Sequence, residues 1–287
     1  MSDLSNVGAV GVRHRMPGVV YPPVEHLKRA VEAGFLGNQT LVEAYMETHA
    51  KFAQRPALMG PEGNFTHAQL DDITNRVAAA FMDLGLKPLD RVVFQVPNCN
   101  ELIFGWLGCL KAGLIPICSL VSHREREIGY LANHGEARLH FVQGDDPKFD
   151  HVEFAERIQA QAPTLKHIVV ARGPARGKAL SLKALYDAQD PVAAKARVRA
   201  VPRDPFQVAL FHLSGGTTGL PKIIPRFGNE YLYNMRAVAE WEGYTENDSF
   251  FNPMPFMHNF NMVCCSGPVL LVGGAIAITP MMDPPTI

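Results

Sequence analysis

Residues 211–226 read FHLSGGTTGLPKIIPR and hold the strongest signal in this sequence. The apolar run from Val208 to Phe211 predicts a buried strand. The residues from Ser214 to Gly219 are all small: three glycines allow positive φ and let successive N–H groups converge, and three hydroxyls add donors. Lys222 adds a point charge that suits phosphate. The stretch therefore predicts a loop that can wrap a polyphosphate.

Two other interpretations of this loop follow from the residues alone. A P-loop of the Walker type needs Gly-Lys-Ser/Thr in succession, whereas two residues separate Gly219 from Lys222 here. Pro221 has no N–H and resists an immediate helix start, which disfavours a Walker loop. The simpler alternative is a glycine-rich hairpin turn without a ligand. Because Ile223 and Ile224 resume an apolar run, we predict that the loop joins two strands.

The composition is that of an ordinary globular chain. Its 287 residues suffice for one large or two modest domains, and 47% of them are hydrophobic. A net charge of −1 gives no reason to expect nucleic acid or an anionic membrane as partner. No apolar run reaches the length of a membrane span, and residues 1–18 lack the apolar region of a secretory signal.

The cysteines indicate the redox compartment. There are five, an odd number, without a C-x-x-C motif, and two of them, Cys264 and Cys265, are adjacent. Neither a disulfide framework nor a zinc site follows from this pattern. We interpret them as reduced thiols of a cytoplasmic protein.

Strand and helix signals alternate at short intervals, which predicts an α/β fold with layered, parallel-rich sheets and flanking helices. The strand RVVFQV at 91–96, for example, leads into a helix from about Asn100 to Ala112. The predicted domains are a loosely ordered N-terminus (1–21), a first α/β subdomain (22–203) and the start of a second α/β subdomain (204–287). The phosphate loop lies in the last of these.

Local patterns give further expectations. Three S/T-x-x-E/Q patterns predict capping boxes that begin at Thr40, Thr66 and Ser122. Trp106 lies on an apolar helix and is interpreted as a core residue. His123 is interpreted as a structural residue, and Asp71-Asp72 and Asp145-Asp146 are interpreted as solvated faces or turns.

A second stretch with chemical potential is PMPFMHNFN at residues 253–261. Two prolines fix the direction of the chain before His258 and Asn259. Spacing alone favours a helix N-terminus here, with Asn259 or Asn261 as the cap and His258 as a turn residue.

The string Ser-Gly-Gly-Thr-Thr-Gly-x-Pro-Lys resembles the signature loop of the adenylate-forming superfamily, which includes acyl-CoA synthetases, luciferases and adenylation domains of peptide synthetases. Its continuation Ile223–Arg226, with Asn229, Tyr231 and Tyr233, is similar to the aryl-acid branch. That branch is typified by 2,3-dihydroxybenzoate–AMP ligase and salicylate–AMP ligase of siderophore synthesis. The resemblance extends from about Val20 to the end, and it implies the N-terminal large domain of such an enzyme, with the C-terminal domain absent.

The resemblance also implies roles for individual residues. His258 lies where the carboxylate and the α-phosphate meet, Asn259 addresses the ortho hydroxyl of the acid, and His258 and Lys222 are the implied catalytic residues. Cys264 is expected to line an altered acid pocket, because the segment 262–267 departs from the branch and is one residue longer. Phe227-Gly228 replace the Thr-His that is frequent in the branch, and no metal-binding residue is implied. The β- and γ-phosphates of ATP are implied to contact Ser214, Gly215, Gly216, Thr217, Thr218, Gly219 and Lys222.

The implied reaction joins an aryl acid to AMP with Mg²⁺ and ATP, and then transfers the aryl group to a carrier-protein phosphopantetheine thiol or CoA. A homodimer is left open. The alternatives are another acyl-CoA synthetase-type ligase, for benzoate or a fatty acid, and a nucleotide-binding module without turnover. Family members are about twice as long, and the motifs for adenine, ribose and the catalytic lysine of the small domain are not among these 287 residues. An N-terminal fragment of this kind is expected to have no appreciable turnover by itself.

Overall fold

The computed structural model describes residues 10–214 and 219–279. The first half of the chain contains α1 (Val24–Glu32), α2 (Leu41–Lys51), β1 (Pro56–Gly60), β2 (Gly63–Thr66), α3 (His67–Asp83), β3 (Arg91–Gln95), α4 (Asn100–Lys111), β4 (Ile115–Cys118), α5 (Glu125–His134) and β5 (Ala137–Val142). The second half contains α6 (His151–Gln161), β6 (His167–Val170), β7 (Leu180–Ser181), α7 (Leu182–Asp187), α8 (Pro191–Arg199), β8 (Val208–Leu213), β9 (Ile223–Phe227), α9 (Gly228–Glu242), β10 (Ser249–Asn252), α10 (Ser266–Leu271) and β11 (Ala275–Ile278). None of the described helices is both long and apolar enough to cross a membrane.

The larger sheet has the strand order β7-β6-β5-β3-β4-β8-β9. All its neighbours pair in parallel except β8 and β9, which form an antiparallel pair at the edge. The central strand β3 is buried from Val92 to Gln95, as expected for a parallel strand covered on both faces. The predicted α/β fold with parallel-rich sheets and flanking helices is confirmed.

The smaller sheet has the order β10-β11-β1-β2. Strand β1 forms a hairpin with β2 and pairs in parallel with β11, which pairs in parallel with β10. Each sheet therefore takes strands from both sides of residue 203. Strand pairing thus follows spatial neighbours and not chain order, and the subdomain boundary at 203/204 stays a prediction.

The N-terminal segment 10–21 has no helix or strand, yet it is attached to the body of the protein. The Tyr21 hydroxyl donates to Gln207 Oε1 at 2.7 Å, and Gln207 Nε2 donates to the His14 carbonyl at 2.7 Å. The Arg13 N–H donates to Asp204 Oδ2 at 2.8 Å. These contacts place the segment beside the start of β8.

Two of the three predicted capping boxes are confirmed, at Thr40 and Thr66. The third prediction is wrong: α5 begins at Glu125 with Arg124 as its N-cap, and Arg124 N donates to Glu127 Oε2 at 3.0 Å. Ser122 lies before the helix because Leu120 to His123 form a tight turn, in which His123 N donates to the Leu120 carbonyl. Helix α8 was not predicted from its alanine-rich, weakly amphipathic sequence.

The core between the two sheets is built around α3 and α4. Trp106 is completely buried, with its ring 5.6 Å from the ring of Tyr45 and 5.0 Å from that of Phe256, so its prediction as a core residue is confirmed. The close approach of the two helices requires Gly108, since a Cβ there would lie 2.4 Å from Val77 Cγ1. Through the contact of Trp106 with Phe256, the segment 252–261 packs against α4.

Candidate functional site

The phosphate loop begins and ends on the antiparallel pair of β8 and β9. Leu213 pairs with Ile223, Ser214 N donates to the Lys222 carbonyl at 3.0 Å, and Lys222 N donates to Ser214 Oγ at 3.0 Å. The prediction that the loop joins two strands is confirmed. Gly215, Gly216, Thr217 and Thr218 lie outside the described residues.

The base of this loop leaves two polar groups for a ligand. The Ser214 hydroxyl accepts from a backbone N–H, so its own hydrogen is still available for donation. Lys222 is exposed and forms no ion pair with the described residues. Gly219 is exposed, and a Cβ there would meet nothing within 4 Å. A hydroxyl and a free ammonium at the mouth of one hairpin suit an anionic ligand.

The segment 252–257 is held in place by two buried asparagines. Asn98, which follows β3, donates from Nδ2 to the Met254 carbonyl at 2.7 Å and accepts from Phe256 N at 2.8 Å. Asn261 donates from Nδ2 to the Met254 carbonyl at 2.7 Å and to Asn252 Oδ1. These bonds fix the backbone immediately before His258 and Asn259.

The helix after this segment opens with a π-helical stretch, Asn261–Cys265, before α10. Ser266 N donates to the Asn261 carbonyl, five residues earlier, and Ser266 Oγ donates to Asn261 Oδ1 at 2.7 Å. A π turn holds one residue more than an α-helical turn and often lies at functional sites. The π turn at Asn261–Cys265 is therefore a way for this helix to accommodate one additional residue, such as the one in segment 262–267. Cys264 is half-buried in this stretch.

Asn259 is linked to β8 through Tyr231 of α9. The Tyr231 hydroxyl donates to Asn259 Oδ1 at 3.1 Å, and His212 Nε2 lies 2.8 Å from the same hydroxyl. Tyr231 and His212 are buried, whereas Asn259 is half-buried. Arg226 of β9 lies over the Tyr231 ring, with its guanidinium carbon 4.9 Å from the centroid, and pairs with Glu230. The strand that leads into the phosphate loop is thus connected to the turn with Asn259.

His258 belongs to the same group. Its exposed ring accepts from Phe260 N at Nδ1 over 3.3 Å, so a neutral His258 carries its proton on Nε2. Burial lowers the pKa of His212 to about 3, and the charges of Arg226 and His258 act in the same direction. Burial also raises the pKa of the Tyr231 hydroxyl far above its ordinary value. His212 and Tyr231 are therefore neutral near pH 7. The fold brings His258 and Asn259, the two residues predicted for the acid site, close to the strand that leads into the loop.

Sequence reasoning missed several residues that build this site. His212 and Tyr231 lie 47 and 28 positions before Asn259, and only the fold brings them together. Tyr231 was noted for its resemblance to the aryl-acid branch, without a role. Asn98 could have been found from the sequence. It is a polar residue that follows Pro97 just after the carboxyl end of a buried strand, where ligands bind in parallel α/β sheets.

A model of the AMP-binding enzyme family matches residues 46–287. The chain belongs to this family. Among curated relatives, a salicylyl-CoA synthase / salicylate adenylyltransferase of Streptomyces sp is 34% identical over 248 residues, which cover 86% of this chain and 45% of the relative. The 2,3-dihydroxybenzoate-AMP ligase of Bacillus subtilis (strain 168) is 30% identical over 255 residues, or 88% of this chain and 45% of the relative.

Among solved structures, the apo structure of Mycobacterium smegmatis MbtA superposes with a TM-score of 0.83 at 30% identity, over 92% of this chain and 48% of that one. The predicted membership of the adenylate-forming superfamily is confirmed. The chain spans about half the length of the curated relatives it matches.

Proposed function

We propose that this chain is the N-terminal part of a ligase that activates an ortho-hydroxy aryl acid, salicylate or 2,3-dihydroxybenzoate, with ATP. The reaction joins the acid carboxylate to the α-phosphate and releases pyrophosphate. The observation that supports the proposal is the bonded series His212–Tyr231–Asn259, because it connects the carboxamide proposed to contact the acid with the strand that leads into the proposed phosphate loop. The names of the relatives quoted above support the choice of acid.

On the nucleotide side, Lys222 and the Ser214 hydroxyl are the described groups that would contact the β- and γ-phosphates. Attack by a carboxylate needs the charge on the leaving pyrophosphate to be neutralised. An ammonium and a hydroxyl donor supply charge-assisted hydrogen bonds for this purpose. Mg²⁺ is proposed together with ATP, although residues 10–214 and 219–279 contain no group of three or more His, Cys, Asp or Glu that could hold a metal ion.

On the acid side, Asn259 would contact the ortho hydroxyl, and His258 would hold the carboxylate as it approaches the phosphate. The Nε2–H of a neutral His258 is a suitable donor to a carboxylate oxygen. Cys264, half-buried on the π-helical stretch, would form part of the pocket wall. In this proposal the pocket wall would come from residues 258–264, which directly follow the stretch 252–257.

The activated aryl group would then pass to the thiol of a carrier-protein phosphopantetheine or of CoA. Both outcomes are consistent with an acyl adenylate, because either thiolate can attack its carbonyl and release AMP. We also propose a cytoplasmic location. All five cysteines are free, and four of them are buried, which suits a reducing environment.

The test compares salicylate, 2,3-dihydroxybenzoate and benzoate binding to the wild-type chain and to Asn259→Ala, by calorimetry at 25 °C. Losing a neutral hydrogen bond to the substrate costs about 0.5–1.5 kcal/mol, so the two hydroxy acids should bind about two- to twelvefold more weakly while benzoate changes little. Asn133→Ala, at an exposed position, is the matched control. Equal weakening of all three acids would favour another acyl-CoA synthetase-type ligase.

A further inference from the structure

The series His212–Tyr231–Asn259 has a direction as well as a geometry. The Tyr231 hydroxyl has one hydrogen, and Asn259 Oδ1 can only accept, so that hydrogen is donated to Asn259. His212 Nε2, at 2.8 Å from the same hydroxyl oxygen, must then be the donor. Protons are therefore ordered from His212 to Tyr231 to Asn259.

The protonation of His212 agrees with this direction. Its imidazole is buried, and burial, with Arg226 and His258 nearby, lowers its pKa to about 3. A neutral imidazole carries one N–H, and here it belongs to Nε2. The buried imidazole of His212 is therefore neutral, and its single N–H is donated to the Tyr231 hydroxyl.

The consequence lies at the far end of the series. With Oδ1 held by Tyr231, the Nδ2 amine of Asn259 forms no hydrogen bond within the described part of the chain and presents two N–H donors. A reversed series, with the proton on His212 Nδ1 and the amide turned over, would present the carbonyl oxygen instead. The tautomer of a buried histidine therefore decides whether the site offers a donor or an acceptor.

We propose that His212 and Tyr231 are positioning residues that hold the Asn259 amine toward the acid, and so select an ortho substituent that accepts a hydrogen bond. This inference rests on the proposed contact between Asn259 and the ortho substituent. The ortho hydroxyl of salicylate donates its hydrogen to its own carboxylate and keeps lone pairs free to accept. The ortho amine of anthranilate offers N–H donors, since its lone pair is delocalised into the ring, and it would face the Asn259 donors unfavourably.

The experiment measures the dissociation constants of salicylate, anthranilate and benzoate for Tyr231→Phe, with Tyr233→Phe as matched control. Tyr233 lies on the same helix, and its ring contacts Phe35. We expect Tyr231→Phe to lower the preference for salicylate over anthranilate about tenfold and to change benzoate binding less than about twofold. Tyr233→Phe should keep the wild-type preference.

Two further variants separate positioning from scaffolding. His212→Gln retains an N–H that can donate to Tyr231 and should restore most of the preference that His212→Leu loses. A merely structural role would lower the melting temperature and weaken all three acids equally, which would overturn the proposal. Nitrogen-15 shifts of the His212 ring in the ligand-free chain give an independent reading: a proton on Nδ1 would also overturn it.

The failures of the two proposals are distinguishable. If Asn259→Ala removes the preference for salicylate over anthranilate while Tyr231→Phe leaves that preference intact, the positioning role of Tyr231 is wrong and the proposed function stands. If Asn259→Ala leaves the preference intact, or the chain binds none of the acids, the proposed acid site is wrong, and the His212 shifts still decide the direction of the series.

Discussion

Lys111 and Asp71 form an ion pair in the core, with 2.6 Å between Nζ and Oδ1, although the Lys111 side chain is completely buried. The ammonium also donates to Thr74 Oγ1 at 2.7 Å and to Asn75 Oδ1 at 2.9 Å. The pair ties the last turn of α4 to α3. Asp71 was predicted to lie on a solvated face or turn, and this is wrong because the approach of α4 leaves its side chain only 18% exposed.

Asp71→Asn should destabilise the protein strongly, since it leaves the buried charge of Lys111 without its counter-ion. Removing one partner of a buried pair costs about 3–5 kcal/mol. The double variant Asp71→Asn, Lys111→Met should recover most of this loss, because no uncompensated charge remains. Urea denaturation measures both, with Glu153→Gln in the exposed pair with Arg157 as a control expected to cost less than about 1 kcal/mol. A loss at Asp71 no larger than the control would contradict the prediction.

Stability should fall as the pH decreases below about 6.5, in part through His140. Its buried Nε2 lies 3.1 Å from Gln95 Oε1, and burial lowers its pKa to about 3. Between these two pH values the unfolded chain takes up a proton that the folded chain does not, which favours unfolding by about 1.4 kcal/mol per pH unit.

The check is the free energy of unfolding at pH 7.5 and pH 5.0 for the wild type and for His140→Gln. The variant should lose about 2 kcal/mol less than the wild type over this interval. Other buried histidines, such as His212, contribute to both proteins and cancel in the comparison. Identical pH dependence in the two proteins would show that His140 does not titrate in this way.

Asn98→Ala should loosen the segment that precedes His258. The substitution leaves the Phe256 N–H without its partner, at a cost of about 1–3 kcal/mol for an unsatisfied buried group, while the Met254 carbonyl keeps its bond from Asn261. We expect a lower melting temperature together with weaker salicylate binding. Asn133→Ala at an exposed position is the control. If Asn98→Ala lowers the melting temperature but keeps full salicylate affinity, the bonds of Asn98 to segment 252–257 do not contribute to the acid site.

Lys222→Ala should weaken ATP binding whichever acid is present, because it removes a positive charge from the phosphate side. Loss of a charge-assisted hydrogen bond corresponds to about a ten- to hundredfold change in the dissociation constant. Titration of ATP into the variant, with exposed Lys87→Ala as the control, gives the comparison. Equal effects of the two substitutions would indicate general electrostatics and not a phosphate contact.

Much of the fold is readable from local sequence. The hairpin at 214–222 was predictable because Pro221 and the apolar pair Ile223-Ile224 exclude a helix and demand a strand. The capping boxes at Thr40 and Thr66 were predictable since their partners lie three residues away. The box expected at Ser122 failed because a tight turn competes locally for the same residues.

The chain by itself therefore determined the alternation of strands and helices and the strand–loop–strand connection between β8 and β9. The tertiary structure alone decided that His212 and Tyr231 reach Asn259, and that Lys111 meets Asp71 in the core. The physical reason is range. Strand, cap and turn preferences act over a few residues, whereas a hydrogen bond between side chains 28 or 40 positions apart exists only after the helices and sheets have packed.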